Sequence, residues 1–129
     1  MPLQSIDVTP SAYTYPLLIK QLLHSARCTA ADEEIVYRNH SRLTYRQFFQ
    51  RLGQLANALE TLGIGKGDTV AFMDWDSHRY LEAFFAVPMM GAVLQTVNVR
   101  LSPEQILYTL NHAKADIVAV NVEFIPILA

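Results

Sequence analysis

Charge is sparse and nearly balanced in this 129-residue chain, where ten Lys and Arg stand against twelve Asp and Glu for a formal charge of −2. The cations are scattered and form no basic run, which argues against a nucleic-acid surface or any other polyanion partner. Cysteine is scarcer still. Cys28 is alone, so no internal disulfide can form, and a reducing compartment fits. The opening residues, with Pro2, Asp7 and Pro10, lack the basic and apolar regions of a signal peptide, and the expected location is the cytoplasm. No apolar run reaches the length of a membrane span. The longest uncharged stretch, residues 83–99, is interrupted by Pro88, Gly91, Gln95 and Asn98 and belongs in a protein core. His24, His40, His78 and His112 are too far apart for ligand spacing, so no metal site is expected.

What is present is hydrophobic. Apolar residues make up 51% of the chain, which excludes disorder and suffices for one core without a metal or disulfide. The most informative stretch runs from Thr69 to Val99. Residues 69–73 read as a strand. Ser77 then caps a helix whose apolar face is Leu81, Phe84, Phe85 and Met89, Gly91 stops it, and residues 93–97 form the next strand. Both strands are apolar on both faces, as burial in a parallel sheet requires, and strand, helix and strand make one βαβ unit.

On either side the pattern continues. Residues 1–13 show no period and read as an extended arm ordered only against a partner surface, while 14–129 form a single unit. Thr14 is expected to cap a helix with Leu18, Leu22 and Ala26 on one stripe and Pro16 in its first turn. A hairpin follows, with strands at residues 35–37 and 42–43 around Asn39, His40 and Ser41. Thr44 and Gln47 have the spacing of a capping box, opening a helix with Phe48, Leu52, Leu55, Leu59 and Leu62 on one buried stripe. Gly63 ends it. A second capping box, Ser102 to Gln105 with Pro103 at the first helical position, opens a helix facing the core with Ile106, Leu107, Leu110 and Ala113. Asp116 leads into a strand at residues 117–120, completing a second βαβ unit that shares the strand at 93–97. The apolar pattern that starts again at Phe124 stops at Ala129 without a cap, which reads as a cut chain. The expected fold is α/β, with consecutive βαβ units in a mostly parallel sheet flanked by helices and preceded by a helix and a hairpin.

Residues 63–68, Gly-Ile-Gly-Lys-Gly-Asp, have the composition of a phosphate loop but follow a helix and precede a strand. The loop therefore meets a helix C-terminus, whose partial charge repels phosphate, and reads as a structural turn. Asp74 and Asp76 flank Trp75 just past a strand C-terminus, the edge where α/β sheets bind ligands. Acidic residues also favour a following helix N-terminus, so the pair is open to either role. Ser41 and Ser77 have no triad partners and no nucleophile elbow. Taken alone, the residues supply no catalytic constellation.

Leu43-Thr44-Tyr45, the run from Leu62 to Asp68, Met90-Gly91-Ala92-Val93, and Asn98 through Glu104 resemble the N-terminal region of AMP-forming acyl-CoA synthetases, in the adenylate-forming superfamily. The run from His78 to Pro88, followed by Leu110-Asn111-His112-Ala113, is similar to bacterial and archaeal medium- and long-chain fatty-acid ligases. The resemblance covers residues 15–129 and implies a partial N-terminal domain of that fold. It also implies an activity that joins a fatty acid and ATP into an acyl-adenylate, releasing pyrophosphate, and then passes the acyl group to the CoA thiol. ATP, CoA and Mg2+ would serve the complete enzyme. The family's Ser/Thr/Gly-rich phosphate loop and its Lys, the aromatic-Gly-x-Thr-Glu stretch, the ribose-binding Asp and the C-terminal Lys do not occur in these residues, so no catalytic residue is expected here. The loop Asn98-Val99-Arg100 matches the family's contact region near the adenine end of CoA. A homodimer is compatible with this reading. Two rivals remain at this level, a free-standing interaction module built on the same scaffold and a small flavodoxin-like nucleotide binder, which the misplaced Gly loop argues against.

Overall fold

Capped helices alternating with short apolar runs can cover a sheet on both faces, and that is the architecture of the computed structural model, which describes residues 9–128. A 3-10 turn at Ile19–Leu22 runs into helix α1, Leu23–Thr29. Strands β1, Glu34–Tyr37, and β2, Ser41–Thr44, form an antiparallel hairpin with Ile35 opposite Leu43. Helix α2 spans Tyr45–Thr61 behind the expected capping box: the Thr44 hydroxyl accepts the Gln47 N–H at 3.2 Å, and the Gln47 amide oxygen accepts the Thr44 N–H at 2.8 Å. Then come β3, Thr69–Met73, helix α3, His78–Met89, β4, Val93–Thr96, helix α4, Pro103–Ala113, and β5, Ile117–Val120. A 3-10 turn at Val122–Phe124 leads to the short α5, Ile125–Leu128.

The three later strands form a parallel sheet in the order β4-β3-β5. From β3 the chain crosses to β4 on one side and then to β5 on the other. Right-handed crossovers in opposite directions place α3 and α4 on opposite faces of the sheet. Alternate side chains of β3 record this. Val70 and Phe72 pack against Tyr80, Ala83 and Val87 of α3 and Leu59 of α2, whereas Ala71 and Met73 pack against Ile106 and Leu110 of α4 and against Phe124. A third cluster, Leu23, Leu43, Phe48, Leu52 and Ala86, holds α1, the hairpin and α2 to the far side of α3. Arg51 of α2 also makes a paired contact with the buried Glu82 of α3.

Several expectations are corrected. The first helix starts at Ile19, not at Thr14, because the residue before Pro16 is biased away from helix and Leu18 is still extended at φ −99°, ψ 135°. Its buried residue is Leu23; Leu18 and Leu22 are exposed and Ala26 half-buried. On α2, Leu55 is only half-buried and Leu62, the C-cap, is 66% exposed; the chain turns at Gly63, with φ +88°, and brings Ile64 into the core instead. On α3 the sheet-facing residues are Tyr80, Ala83 and Val87, one step off the large apolar residues, and Phe84 and Met89 are exposed. Leu107 of α4 is likewise exposed. β4 is an edge strand with Val93 exposed, not a strand buried on both faces. β5 pairs with β3 and not with β4, because Asp116 clamps it there: its carboxylate accepts the Thr69 N–H at 2.7 Å and its own N–H donates to the Thr69 carbonyl at 2.9 Å. Of the expected arm, residues 1–8 lie outside the described residues, while at its end the Ala12 N–H donates to the Thr9 carbonyl.

Candidate functional site

The helices after β3 and β4 leave on opposite faces, so their loops part and a crevice opens at the strands' carboxyl ends. Such a switch point is where open α/β sheets take ligands. The crevice has a volume of about 480 Å³ and is walled by residues 74–76, by Tyr80 and Phe84 of α3, and by residues 96–100.

Its floor is organised by Asp74, which is buried at 6% exposure. One carboxylate oxygen accepts from the Asn121 amide at 2.6 Å and the Trp75 N–H at 2.8 Å, and the other accepts from the Ser77 hydroxyl at 2.6 Å and Arg79 Nε at 3.0 Å. Burial alone would raise the Asp74 pKa, but the donors from Arg79, Ser77, Asn121 and Trp75 outweigh it and hold the carboxyl below its ordinary value. The Ser77 hydroxyl in turn accepts the Tyr80 N–H at 3.2 Å, capping α3. Tyr80 reaches back over the sheet, and its hydroxyl donates to the Phe72 carbonyl at 3.2 Å, which also takes the Val97 N–H at 3.1 Å. Burial pushes the Tyr80 phenol above its usual pKa. On the other wall Asn98 folds the loop on itself, its side-chain oxygen accepting the Arg100 N–H at 3.0 Å. Val99 packs half-buried against the α4 side of the core. The Arg100 side chain is exposed and pairs with no carboxylate among the described residues.

The structure therefore brings the expected Asn98, Val99 and Arg100 to the same crevice as Asp74 and Asp76. Asp74 is consumed by structural donors, whereas Asp76 is exposed on the wall. Ser77 serves the cap and Asp74, and Ser41 lies in the hairpin. The Gly-rich loop at 63–68 uses its own donors: the Gly65 N–H goes to the Asp68 carboxylate at 2.8 Å and the Gly67 N–H to the Gly91 carbonyl at 2.9 Å, leaving no phosphate cradle at those positions. His24 lies beside Cys28, and His78 packs near Tyr37 with ring centroids 5.7 Å apart. Burial lowers the His78 pKa. Among the described residues no three His, Cys, Asp or Glu side chains are grouped to hold a metal ion, and no helix is long and apolar enough to cross a membrane. Sequence reasoning missed Arg79, Tyr80 and Asn121. Asn121 could not have been found, since only the β5-on-β3 pairing brings it to Asp74.

The AMP-binding enzyme model matches residues 22–127. The chain is 42% identical over 110 residues to the long-chain-fatty-acid–CoA ligase of Thermus thermophilus, covering 82% of this chain and 20% of that protein. It is 35% identical over 109 residues to the medium-chain-fatty-acid–CoA ligase of Ectopseudomonas oleovorans, again covering 82% and 20%. Among solved structures, an anthranilate CoA ligase in complex with anthranoyl-AMP superposes with a TM-score of 0.78 at 27% identity, over 84% of this chain and 21% of that one. The chain thus spans about a fifth of the length of the curated relatives it matches. With residues 22–127 covered by one family model and with relatives that are CoA ligases, the chain belongs to the AMP-binding enzyme family.

Proposed function

We propose that this chain forms the N-terminal portion of a fatty-acid CoA ligase, with residues 14–129 as part of its N-terminal subdomain. In that reaction a fatty-acid carboxylate oxygen attacks the α-phosphorus of ATP, pyrophosphate leaves, and the acyl-adenylate then yields its acyl group to the CoA thiol with release of AMP. The observation that carries the reading is the 42% identity to a long-chain fatty-acid ligase, which runs through the crevice-forming strands and loops.

The residues here act as scaffold and as one wall of a binding site. Arg100 is the cation available to a phosphate of CoA, and Asn98 holds its loop in place. No catalytic role falls to Asp74, whose lone pairs are already taken. Mg2+ would arrive with ATP, and no ligand for it is assigned in this chain. The test is an assay of the longest reading frame containing these residues, with pyrophosphate release and thioester formation measured for a series of fatty acids. Fatty-acid-dependent production of acyl-CoA is expected there, and none from the 129 residues alone. Pyrophosphate release by the 129 residues, or no thioester from a folded full-length protein, would refute the reading.

A further inference from the structure

We propose that the face formed by residues 13–27 and the C-terminal end of α3 docks on an anionic lipid bilayer, with Tyr13, Leu17 and Leu22 inserting among the headgroups and Lys20 and Arg27 meeting lipid phosphates. This goes beyond the ligase reading above and does not depend on it.

Apolar exposure and missing acid coincide on this face. Tyr13 is 87% exposed, Leu17 96% and Leu22 72%, and Leu18 and Met89 beside them are also open to solvent. The Tyr13 and Tyr15 rings stack with centroids 6.2 Å apart at 15°, and such rings, apolar in body and polar at the edge, suit the headgroup level of a bilayer. Leu17, Leu18 and Met89 line a groove of about 460 Å³ against α3, with Lys20 at its side. Two further grooves adjoin it through Met89, and no Asp or Glu lines any of the three. The sequence agrees: between Asp7 and Asp32 there is no acidic residue, while Lys20, His24 and Arg27 all fall in that stretch. Neither Lys20 nor Arg27 pairs with a carboxylate among the described residues, and the Arg27 guanidinium lies over the Phe49 ring at 5.0 Å.

The chain carries a formal −2 overall, so an anionic surface repels its other faces and selects this one. Two cations are too few to hold a polyanion by charge alone. Insertion of the exposed leucines and tyrosines supplies the rest, because interfacial binding scales with buried apolar area plus attraction to anionic lipid. The irregular backbone before α1 cannot enter hydrocarbon with its polar groups unsatisfied, so the segment lies at the headgroups. A second copy of this chain is the poorer occupant. Two-fold pairing of the face would set Lys20 and Arg27 against the same cations with no acid to meet them.

The full-length protein and the 129-residue chain are each mixed with phosphatidylcholine vesicles and with phosphatidylcholine–phosphatidylglycerol vesicles, and the bound fraction is read by flotation. Both proteins should bind the mixed vesicles, and should bind the neutral ones about tenfold less or weaker. Leu17→Ser should weaken binding to either lipid about tenfold, and Lys20→Gln should weaken it about fivefold on the mixed vesicles alone. Leu107→Ser removes another exposed leucine, from α4 on the opposite face of the sheet, and should change nothing. All three positions are exposed, so the variants should keep the native circular dichroism spectrum. Equal binding to the two kinds of vesicle, or equal losses in Leu17→Ser and Leu107→Ser, would overturn the proposal in favour of unspecific adhesion. Binding by the 129 residues that the full-length protein lacks would overturn it by showing the face covered by the rest of the protein. No vesicle binding by either also overturns it, and a dimer mass that Leu17→Ser lowers would then assign the face to a second copy. Thioester formation, which tests the ligase reading, enters none of these outcomes.

Discussion

The Asn121 amide donates to the Asp74 carboxylate at 2.6 Å, joining the ends of two strands that are 47 residues apart in the chain. Through the same carboxylate the N-terminus of α3 is tied in by Ser77 and Arg79, so a single buried anion sets the floor of the crevice. Removing it leaves several buried donors without a partner. Asp74→Ala should cost about 1–3 kcal/mol in denaturant unfolding. A cost indistinguishable from zero would show that the network contributes no stability.

The pH dependence follows from the direction of the Asp74 shift. Its folded carboxyl titrates below the unfolded value of about 3.9, so the network's stabilisation is complete above that pH and is lost as pH falls through the folded value. Asp74→Asn should therefore flatten the acid limb of the stability profile relative to the native chain. Parallel profiles of the two between pH 2 and 5, roughly the carboxylate range, would assign acid sensitivity to other groups.

Helix phase gives a graded test along α2. Phe48 is 1% exposed, Leu55 half-buried and Leu62 66% exposed. Phe48→Ala should cost about 3–5 kcal/mol, and Leu62→Ala should stay within about 0.5 kcal/mol, with Leu55→Ala between them. Equal effects at Phe48 and Leu62 would contradict the packing.

Much of this fold was legible because it is written in local chemistry. Thr44, Ser77 and Ser102 each place an oxygen where a helix's free N–H groups need one, and Gly63 and Gly91 take the positive φ that ends α2 and precedes β4. The faces of the helices were less legible. On α3 the sheet is met by Tyr80, Ala83 and Val87, of which Ala83 and Val87 are small enough for close approach, while Phe84 points outward, and a pattern of hydrophobicity alone ranks these the other way. The strand order β4-β3-β5 rests on pairing between β3 and β5, segments far apart in sequence, with the Asp116 to Thr69 contacts at one end of it. The site followed the same division. Asn98 to Arg100 and Asp76 could be placed at a strand end from sequence, but that they share one crevice with Phe84, and that Asp74 is unavailable, depends on tertiary contacts.

Edges govern self-association. Among the described residues no strand pairs with the outer side of β4, Val93 there is 51% exposed, and Leu17 is 96% exposed on the segment leading to α1. Unpaired edges and apolar surface favour association between copies, so the isolated chain should show a mass in light scattering that rises with concentration. Val93→Lys should reduce that rise. A constant monomer mass across the range would contradict it.

The most direct measurement separates the two half-reactions of the proposed ligase in a full-length protein carrying Arg100→Ala. A guanidinium on a phosphate contributes about 1.5–3 kcal/mol. At about 1.4 kcal/mol per decade, its loss should raise the apparent KM for CoA about tenfold or more. Pyrophosphate release from fatty acid and ATP should not change. An unaltered CoA dependence would contradict the assignment of this crevice to CoA, and an equal loss in both half-reactions would place Arg100 in the folding of the loop instead.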